Sequence, residues 1–225
     1  MQLSNSFRAS LLIAALGLCA HAQPVPGKEA QPSEARGLPP RAAPADYQTQ
    51  GKAGTVTIAA EFKGHAVPTE EATFTSEDYV VVEVALYGPP EGKTMLSKDD
   101  FSLRINGKKT ALPSQPYELA FKSLKDPEWA PPVPAESKSS KTSFGSGGGG
   151  GAAGDNGPPP VVHMPMDLQR AMQQKVQRAA LLEGDRALPQ AGLIFFQYRG
   201  KVEGIHSIEL TYSGAAGKAT LALQP

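Results

Sequence analysis

The feature of this chain that most constrains its fold is the recurrence of apolar residues at every second position. In the clearest stretch, four apolar side chains fall on one side of the backbone: Val80, Val82, Val84 and Leu86. Successive side chains of a β-strand point to opposite faces, so this spacing predicts a strand with one face turned to a core. The strand ends at Gly88-Pro89-Pro90, because proline cannot donate to a sheet ladder.

The same alternation predicts five further strands. They cover residues 56–62, 101–105, 193–199, 205–213 and 218–223. Asn106-Gly107 supplies the positive φ angles of a two-residue hairpin turn, which predicts a return strand at residues 108–112. No helices alternate with these strands as they would in a parallel sheet. The chain is therefore predicted to be mainly β, an antiparallel immunoglobulin-like β-sandwich.

The first residues have the features of an export signal. Residues 11–18 form an apolar run too short to span a bilayer, and the small-x-small triplet Ala20-His21-Ala22 follows it. We therefore expect residues 1–22 to be a signal peptide and the protein to be periplasmic or extracellular. The alternative is a lipoprotein acylated on Cys19, for which the bulky Leu18 is a poor fit. Cys19 is the only cysteine, so cleavage after Ala22 would leave neither a thiol nor a disulfide.

Two stretches rich in proline and polar residues interrupt the strand pattern. Residues 23–52 are predicted to be a disordered tether, and residues 126–165 a disordered Pro/Gly/Ser-rich linker. Residues 167–183 are predicted to form a short helix, with Asp167 as N-cap and Gly184 beyond its end. Its apolar stripe consists of Leu168, Met172, Val176, Ala179 and Leu182. The linker and the helix thus interrupt a single domain that covers residues 53–225.

Several stretches of the strand pattern resemble a known type of domain. They are residues 79–84, 96–103, 106–107, 188–189, 193–196, 208–212 and 217–221. They are similar to the bacterial extracellular telokin-like immunoglobulin-fold domains, a family of unknown function. The resemblance implies an adhesive, scaffold or envelope role and brings no catalytic residues with it. Between about residues 126 and 184 the chain departs from the pattern of that family.

Charge and motifs argue against several classes of function. The 22 basic residues balance 22 acidic ones without a basic block, so the usual basis for binding nucleic acid is missing. Residues 88–94 resemble a phosphate-binding loop, but the segment is one residue short, contains two prolines and is predicted to join two antiparallel strands. No later segment has membrane-spanning length. No serine or pair of acids has the surroundings of a catalytic group, which predicts that the protein is not an enzyme.

One local cluster could hold a metal. His163, Met164 and Met166 offer an imidazole and two thioethers, soft ligands that suit Cu(I), and Met172 follows on the predicted helix. Against copper, the cluster adjoins the predicted linker, and Met172 lies on the apolar stripe, where methionine is an ordinary core residue. We expect no tight site there.

Together these features predict a non-enzymatic exported module for interaction or scaffolding in the cell envelope. Its partner would be an unidentified envelope or extracellular protein, with no cofactor, no nucleic acid and no transmembrane segment after signal cleavage. The contact surface would be an edge strand or the inserted loop and helix. Trp129, which stands among prolines, is either a linker residue folded back on the domain or a docking motif. The alternative function is a periplasmic copper-handling protein that uses His163, Met164 and Met166.

Overall fold

The structure, a computed structural model, describes residues 37–130 and 163–225, which are mainly strands. The strands are β1 (Thr49–Ala53), β2 (Val56–Gly64), β3 (Ala66–Pro68), β4 (Thr73–Ser76), β5 (Tyr79–Tyr87), β6 (Lys93–Leu96), β7 (Phe101–Ile105), β8 (Leu112–Gln115), β9 (Leu124–Lys125), β10 (Gly184–Ala187), β11 (Gln190–Gln197), β12 (Ile208–Gly214) and β13 (Gly217–Leu223). The α-helices of this part are α1 (Tyr117–Ala120) and α2 (Met166–Ala179). Short 3-10 helices lie at Pro44–Asp46, Lys98–Asp100, Phe121–Ser123 and Val202–Gly204.

Eight of the strands form one antiparallel sheet in the order β1-β2-β5-β11-β8-β7-β12-β13. The sheet is nearly closed, because its first and last strands lie side by side. A methyl group added at Gly51 of β1 would lie 3.6 Å from Leu221 Cγ of β13. The remaining strands form two small sheets, β10-β6 and β3-β4-β9. The prediction of a mainly-β, antiparallel fold is therefore confirmed.

The strand faces that the sequence predicted to be apolar enclose the main core. Four side chains of β5 are fully buried there: Val80, Val82, Val84 and Leu86. They share one cluster with Phe101 of β7, Leu210 of β12 and Leu221 of β13. Strands from both halves of the sheet meet in this cluster, so the nearly closed sheet wraps around it. Full burial of each such aliphatic side chain contributes about 1.5–3 kcal/mol through the hydrophobic effect.

Strands β5 and β11 are buried on both faces, which explains why β5 is an almost unbroken apolar run. Their outward side chains include Val81, Leu193 and Phe195, which form a second cluster with Met172 and Val176 of α2. The two α-helices and the 3-10 helix Phe121–Ser123 cover this part of the sheet. We call these three elements the helical cap.

A segment before β1 covers another part of the same outer face. Leu38 forms an antiparallel bridge with Ala191 of β11, and Tyr47 packs on Ala59 and Ala85, whose small side chains leave room for its ring. We call residues 37–48 the strap. The expectation of a disordered tether at residues 23–52 is corrected for residues 37–52, which form the strap and most of β1. The buried side chains of Leu38 and Tyr47 anchor them.

The helix differs from its prediction at both ends. It begins at Met166 with Pro165 as N-cap, so Asp167 lies in its first turn, and it ends at Ala179 rather than at residue 183. Beyond that point the backbone N–H of Leu181 donates to the carbonyl oxygen of Leu193 at 3.0 Å. The chain leaves the helix because it pairs there with β11, and Gly184 begins β10 instead of capping the helix.

The turn at Asn106-Gly107 has the predicted conformation, with φ angles of 53° and 64°. The return strand, however, is β8, which begins at Leu112 instead of Lys108. Asn106 is held instead by the two residues that precede β12, the other neighbour of β7. Its backbone N–H donates to the Ser207 carbonyl oxygen at 2.8 Å, and its side-chain oxygen accepts the backbone N–H of His206 at 2.7 Å. The return strand therefore joins β7 only at Ser102 and Leu103.

Residues 88–94, which resemble a phosphate-binding loop, lead from β5 into β6, and the last two of them begin β6. No helix follows them, as predicted, but β6 does not pair with β5. It pairs with β10 in a separate two-stranded sheet, so the expectation of a hairpin here is corrected.

Some predictions concern residues outside the described part of the chain. They include the signal peptide at residues 1–22 with Cys19, residues 23–36 of the tether, and residues 131–162 of the linker. Among the residues that are described, no helix has both the length and the apolar character that crossing a membrane requires.

Candidate binding site on the helical cap

The helical cap carries most of the large apolar side chains that are exposed in residues 37–130 and 163–225. The exposed side chains are Met95, Leu119, Met166 and Leu168. Leu119 lies on α1, and Met166 and Leu168 lie on α2, which packs against α1. Leu168 was expected on the buried stripe of the helix, but 49% of it is exposed. Exposed apolar side chains concentrated on one layer are typical of a contact surface.

A cavity of about 250 Å³ opens beside α1. It lies where β11 changes its pairing partner: Leu193 pairs with Ala180 in a parallel bridge, and Phe195 pairs with Gln115 of β8. The apolar lining includes Leu181, Leu193 and Phe195, and the polar lining includes Lys98, Tyr117, Glu118 and Glu183. The cavity thus combines an apolar floor with charged groups, and we call it the acidic cavity.

Hydrogen bonds fix the charged groups of the acidic cavity. The Glu183 carboxylate accepts the backbone N–H of Lys98 at 2.9 Å. The Lys98 ammonium lies 2.9 Å from Asp99 Oδ1 and 3.7 Å from Glu183 Oε1. Its hydrogen bond to Asp99, assisted by the charge of Glu183, raises the pKa of Lys98 despite partial burial. Burial, followed by the neighbouring Glu118, raises the pKa of the Tyr117 hydroxyl.

A second cavity, of about 270 Å³, lies between the 3-10 helix Phe121–Ser123 and the start of α2. We call it the methionine cavity, because Met164 and Met172 both line it. Its other lining residues are Phe121, Lys122, Leu124, Gln169 and Gln173. Residues on either side of Leu119 therefore line different cavities, and the exposed Leu119 side chain stands between them in the chain.

The three residues predicted as copper ligands lie in different surroundings. His163 and Met166 are exposed, whereas Met164 is half-buried and lines the methionine cavity. The methionine that shares this cavity with Met164 is Met172, which is 6% exposed and also belongs to the core cluster of α2. Within the described residues, no group of three or more His, Cys, Asp or Glu side chains could hold a metal. That result does not cover methionine thioethers, so the hypothesis of a Cu(I) site stays untested by it.

His65, His206 and Trp129 lie outside the linings of both cavities. The two ring nitrogens of His65 lie 2.8 Å from the Tyr79 carbonyl oxygen and 2.9 Å from that of Gly200. His206 is exposed, and its backbone N–H is bound by Asn106. Trp129 is half-buried, and its backbone N–H donates to the Asp126 carbonyl oxygen at 3.2 Å.

A network of four charged side chains lies outside the predicted set. Glu61 of β2 and Glu83 of β5 stand directly opposite each other, and Arg41 of the strap and Lys63 each contact both carboxylates. Burial alone would raise the pKa of Glu61, but hydrogen bonds from Lys63 and Arg41 outweigh it and lower that pKa. The Arg41 guanidinium also lies 4.2 Å from the centre of the Tyr47 ring. The network fastens the strap to the sheet.

Comparisons of the chain with protein-family models, with curated protein sequences and with solved structures found no match.

Proposed function

We propose that the protein is a non-enzymatic exported interaction or scaffold module of the cell envelope, and that the helical cap is its contact surface. The observation that carries this proposal is the exposure of Leu119, Met166 and Leu168 on two packed helices. Water disfavours such surface, and a partner would bury it. Two cavities beside α1 add pockets into which a partner could insert side chains.

The proposal also assigns a specific type of β fold and a family. A core enclosed by strands from both halves of the eight-stranded sheet supports an immunoglobulin-like β-sandwich. The sequence resemblance, which includes residues 79–84 and 208–212, supports the bacterial extracellular telokin-like type. In such a domain the cap would be an addition on the outer face of β5 and β11. The non-enzymatic part is supported by the opposed acids Glu61 and Glu83, since both are held in ion pairs by Arg41 and Lys63 and so are poorly suited to transfer protons.

Site-specific photo-crosslinking tests the contact surface. A photoreactive residue replaces Leu119 on the cap or, as a matched control, Met95, whose side chain is 56% exposed on β6. We expect a defined adduct with a component of envelope extract from position 119, and none from position 95. The same adduct from both positions, or no adduct from position 119, would overturn the proposal.

Copper handling is the second candidate function, favoured by the fact that two thioethers line one cavity. If Cu(I) bound there, Met164→Leu and Met172→Leu would remove binding, whereas Met166→Leu would leave it unchanged. We expect titration against a competing chelator to show no binding stronger than that of a flexible peptide. A stoichiometric complex that is lost on Met164→Leu or Met172→Leu would instead make copper handling the leading proposal.

A further inference from the structure

The acidic cavity has the layout of a receptor for a long basic side chain. Its floor is apolar, formed in part by Leu193 and Phe195, and carboxylates stand in the lining together with the phenol ring of Tyr117. Lysine and arginine pack their aliphatic stems on apolar surface and keep the charged head near polar groups. An aromatic ring next to carboxylates favours a cationic head further.

The charges of the cavity select a cation over an anion. Glu118 and Glu183 supply two carboxylates, and Lys98 is the single basic residue of the lining. Asp99, outside the lining, is 2.9 Å from the Lys98 ammonium and neutralises part of its charge. The lining therefore carries an excess of negative charge. Glu118 is exposed, and its carboxylate is hydrogen-bonded to the neutral Tyr117 hydroxyl, so its negative charge is not balanced by that contact.

The size of the cavity fits a side chain better than a free ligand. Its volume of about 250 Å³ lies below the range of roughly 300–1,000 Å³ that is usual for sites that bind drug-sized molecules. Glu118 of the lining is followed directly in α1 by Leu119, an exposed apolar residue of the proposed contact surface. A partner that covers Leu119 would bring its own side chains to the mouth of the cavity.

We propose that the acidic cavity receives a basic side chain, arginine or lysine, of the protein partner. The aliphatic stem packs against Leu193 and Phe195, and the cationic head pairs with Glu118 and Glu183. This inference rests on the proposed function, because it specifies the chemistry of the partner at the same cap. Lys98 competes with the incoming cation for Glu183, because the Lys98 ammonium lies 3.7 Å from the Glu183 carboxylate.

An arginine probe with a neutral control tests the inference. The full chain, labelled with nitrogen-15, is titrated with N-acetyl-arginine amide and, separately, with N-acetyl-citrulline amide, which has nearly the same shape without the charge. We expect saturable chemical-shift changes around Tyr117, Glu118, Glu183 and Leu193 with arginine, and at least threefold weaker binding of citrulline. One exposed ion pair changes affinity by roughly 1.4-fold to fivefold, and the arginine head would form two such pairs here, with Glu118 and Glu183.

Charge-removing variants decide which groups recognise the probe. Glu118→Gln and Glu183→Gln should each weaken arginine binding about threefold, and Lys98→Met should strengthen it by a similar factor. Gln at position 183 keeps the oxygen that accepts the Lys98 N–H, and Glu118 is exposed and outside the core, so neither change should unfold the protein. Glu203→Gln, an exposed position outside the cavity lining, is the matched control and should leave arginine binding unchanged.

Three results would overturn the inference: equal binding of arginine and citrulline, no saturable binding of arginine, or weaker arginine binding after Lys98→Met. The last would show that Lys98 does not compete with the cation for Glu183. Each of these results, with the adduct from position 119 still formed, would refute the cation site alone. Loss of the adduct from position 119 would refute the contact surface itself.

Discussion

The strap and the helical cap cover neighbouring parts of the same sheet face, but they leave very different surfaces. Leu38 of the strap pairs with Ala191 of β11. Leu193, two residues further along β11, lies under the cap. The strap fits its floor closely, because Tyr47 packs on fully buried alanines. The cap leaves two cavities and three exposed apolar side chains.

The polar groups of the two regions differ in the same way. The strap pairs Arg41 with two carboxylates and stacks it on Tyr47, so its charges are satisfied within the chain. The cap leaves Glu118 and Lys122 exposed beside its cavities. A region whose apolar and charged groups are already packed and paired within the chain serves stability, whereas a region that leaves both kinds exposed to solvent is suited to a partner.

The largest expected effect is the loss of the Tyr47 ring. Tyr47→Ala should lower the free energy of unfolding by about 3 kcal/mol, because it removes a buried aromatic side chain from a tightly fitted floor. Tyr47→Phe keeps the ring but loses the hydroxyl that accepts the backbone N–H of Arg41 at 3.4 Å, and should cost only about 0.5–1.5 kcal/mol, which is typical for one lost hydrogen bond. Denaturant unfolding measures both. Equal stability of the alanine variant and the native chain would show that the strap is not part of the folded domain.

A smaller effect is expected from the charges that fasten the strap. Arg41→Met keeps the length of the side chain but removes both ion pairs, and should cost about 1 kcal/mol near neutral pH because the pairs are partly exposed to solvent. The pKa of Glu61 lies below its usual value of 4.5. The stabilisation of the fold by ionised Glu61 is therefore fully present above pH 4.5 and is lost as the pH falls through the folded-state pKa.

The pH dependence of unfolding checks this sign. Between about pH 6 and pH 3 the native chain should lose more stability than Arg41→Met, because the variant no longer lowers the pKa of Glu61 as far. Asp100, whose pKa burial raises, acts in the opposite direction in both proteins and cancels in the comparison. Parallel pH profiles for the two proteins would contradict the role of Arg41.

The smallest effect on stability is expected on the cap. Leu119→Ser should change the free energy of unfolding by less than about 0.5 kcal/mol, since half of this side chain is exposed and substitutions of this kind are usually near neutral. The same variant should lose partner binding in envelope extract. A loss of stability comparable to that of Tyr47→Ala would mean that Leu119 is a core residue and not a contact residue.

The sequence predicted the parts of the fold that depend on local periodicity. The apolar faces of β5, β7 and β12 are where the alternation placed them, because a buried strand face leaves a period-two pattern whatever its neighbours are. The strap was missed because it has no periodic pattern: its anchors, Leu38 and Tyr47, are isolated residues in a segment rich in proline and alanine.

The sequence did not predict features that depend on how distant segments pair with each other. Glu61 and Glu83 face each other only because β2 pairs with β5, and neither position marks that pairing in the sequence. The acidic cavity depends on the change of pairing partner along one edge of β11, near Leu193. The early end of α2 has the same origin, since Leu181 leaves the helix to pair with Leu193. In each case a long-range backbone contact decides the local structure.

Oxidation of methionines tests most directly whether the cap is the contact surface. Met166 on the cap and Met95 on β6 are 61% and 56% exposed, so they should oxidise at similar rates in the free protein, while Met172, 6% exposed, should be protected. With envelope extract present, we predict that Met166 oxidises several-fold more slowly relative to Met95, which is the internal reference for consumption of the oxidant. An unchanged ratio of Met166 to Met95 oxidation would contradict the assignment of the helical cap as the contact surface.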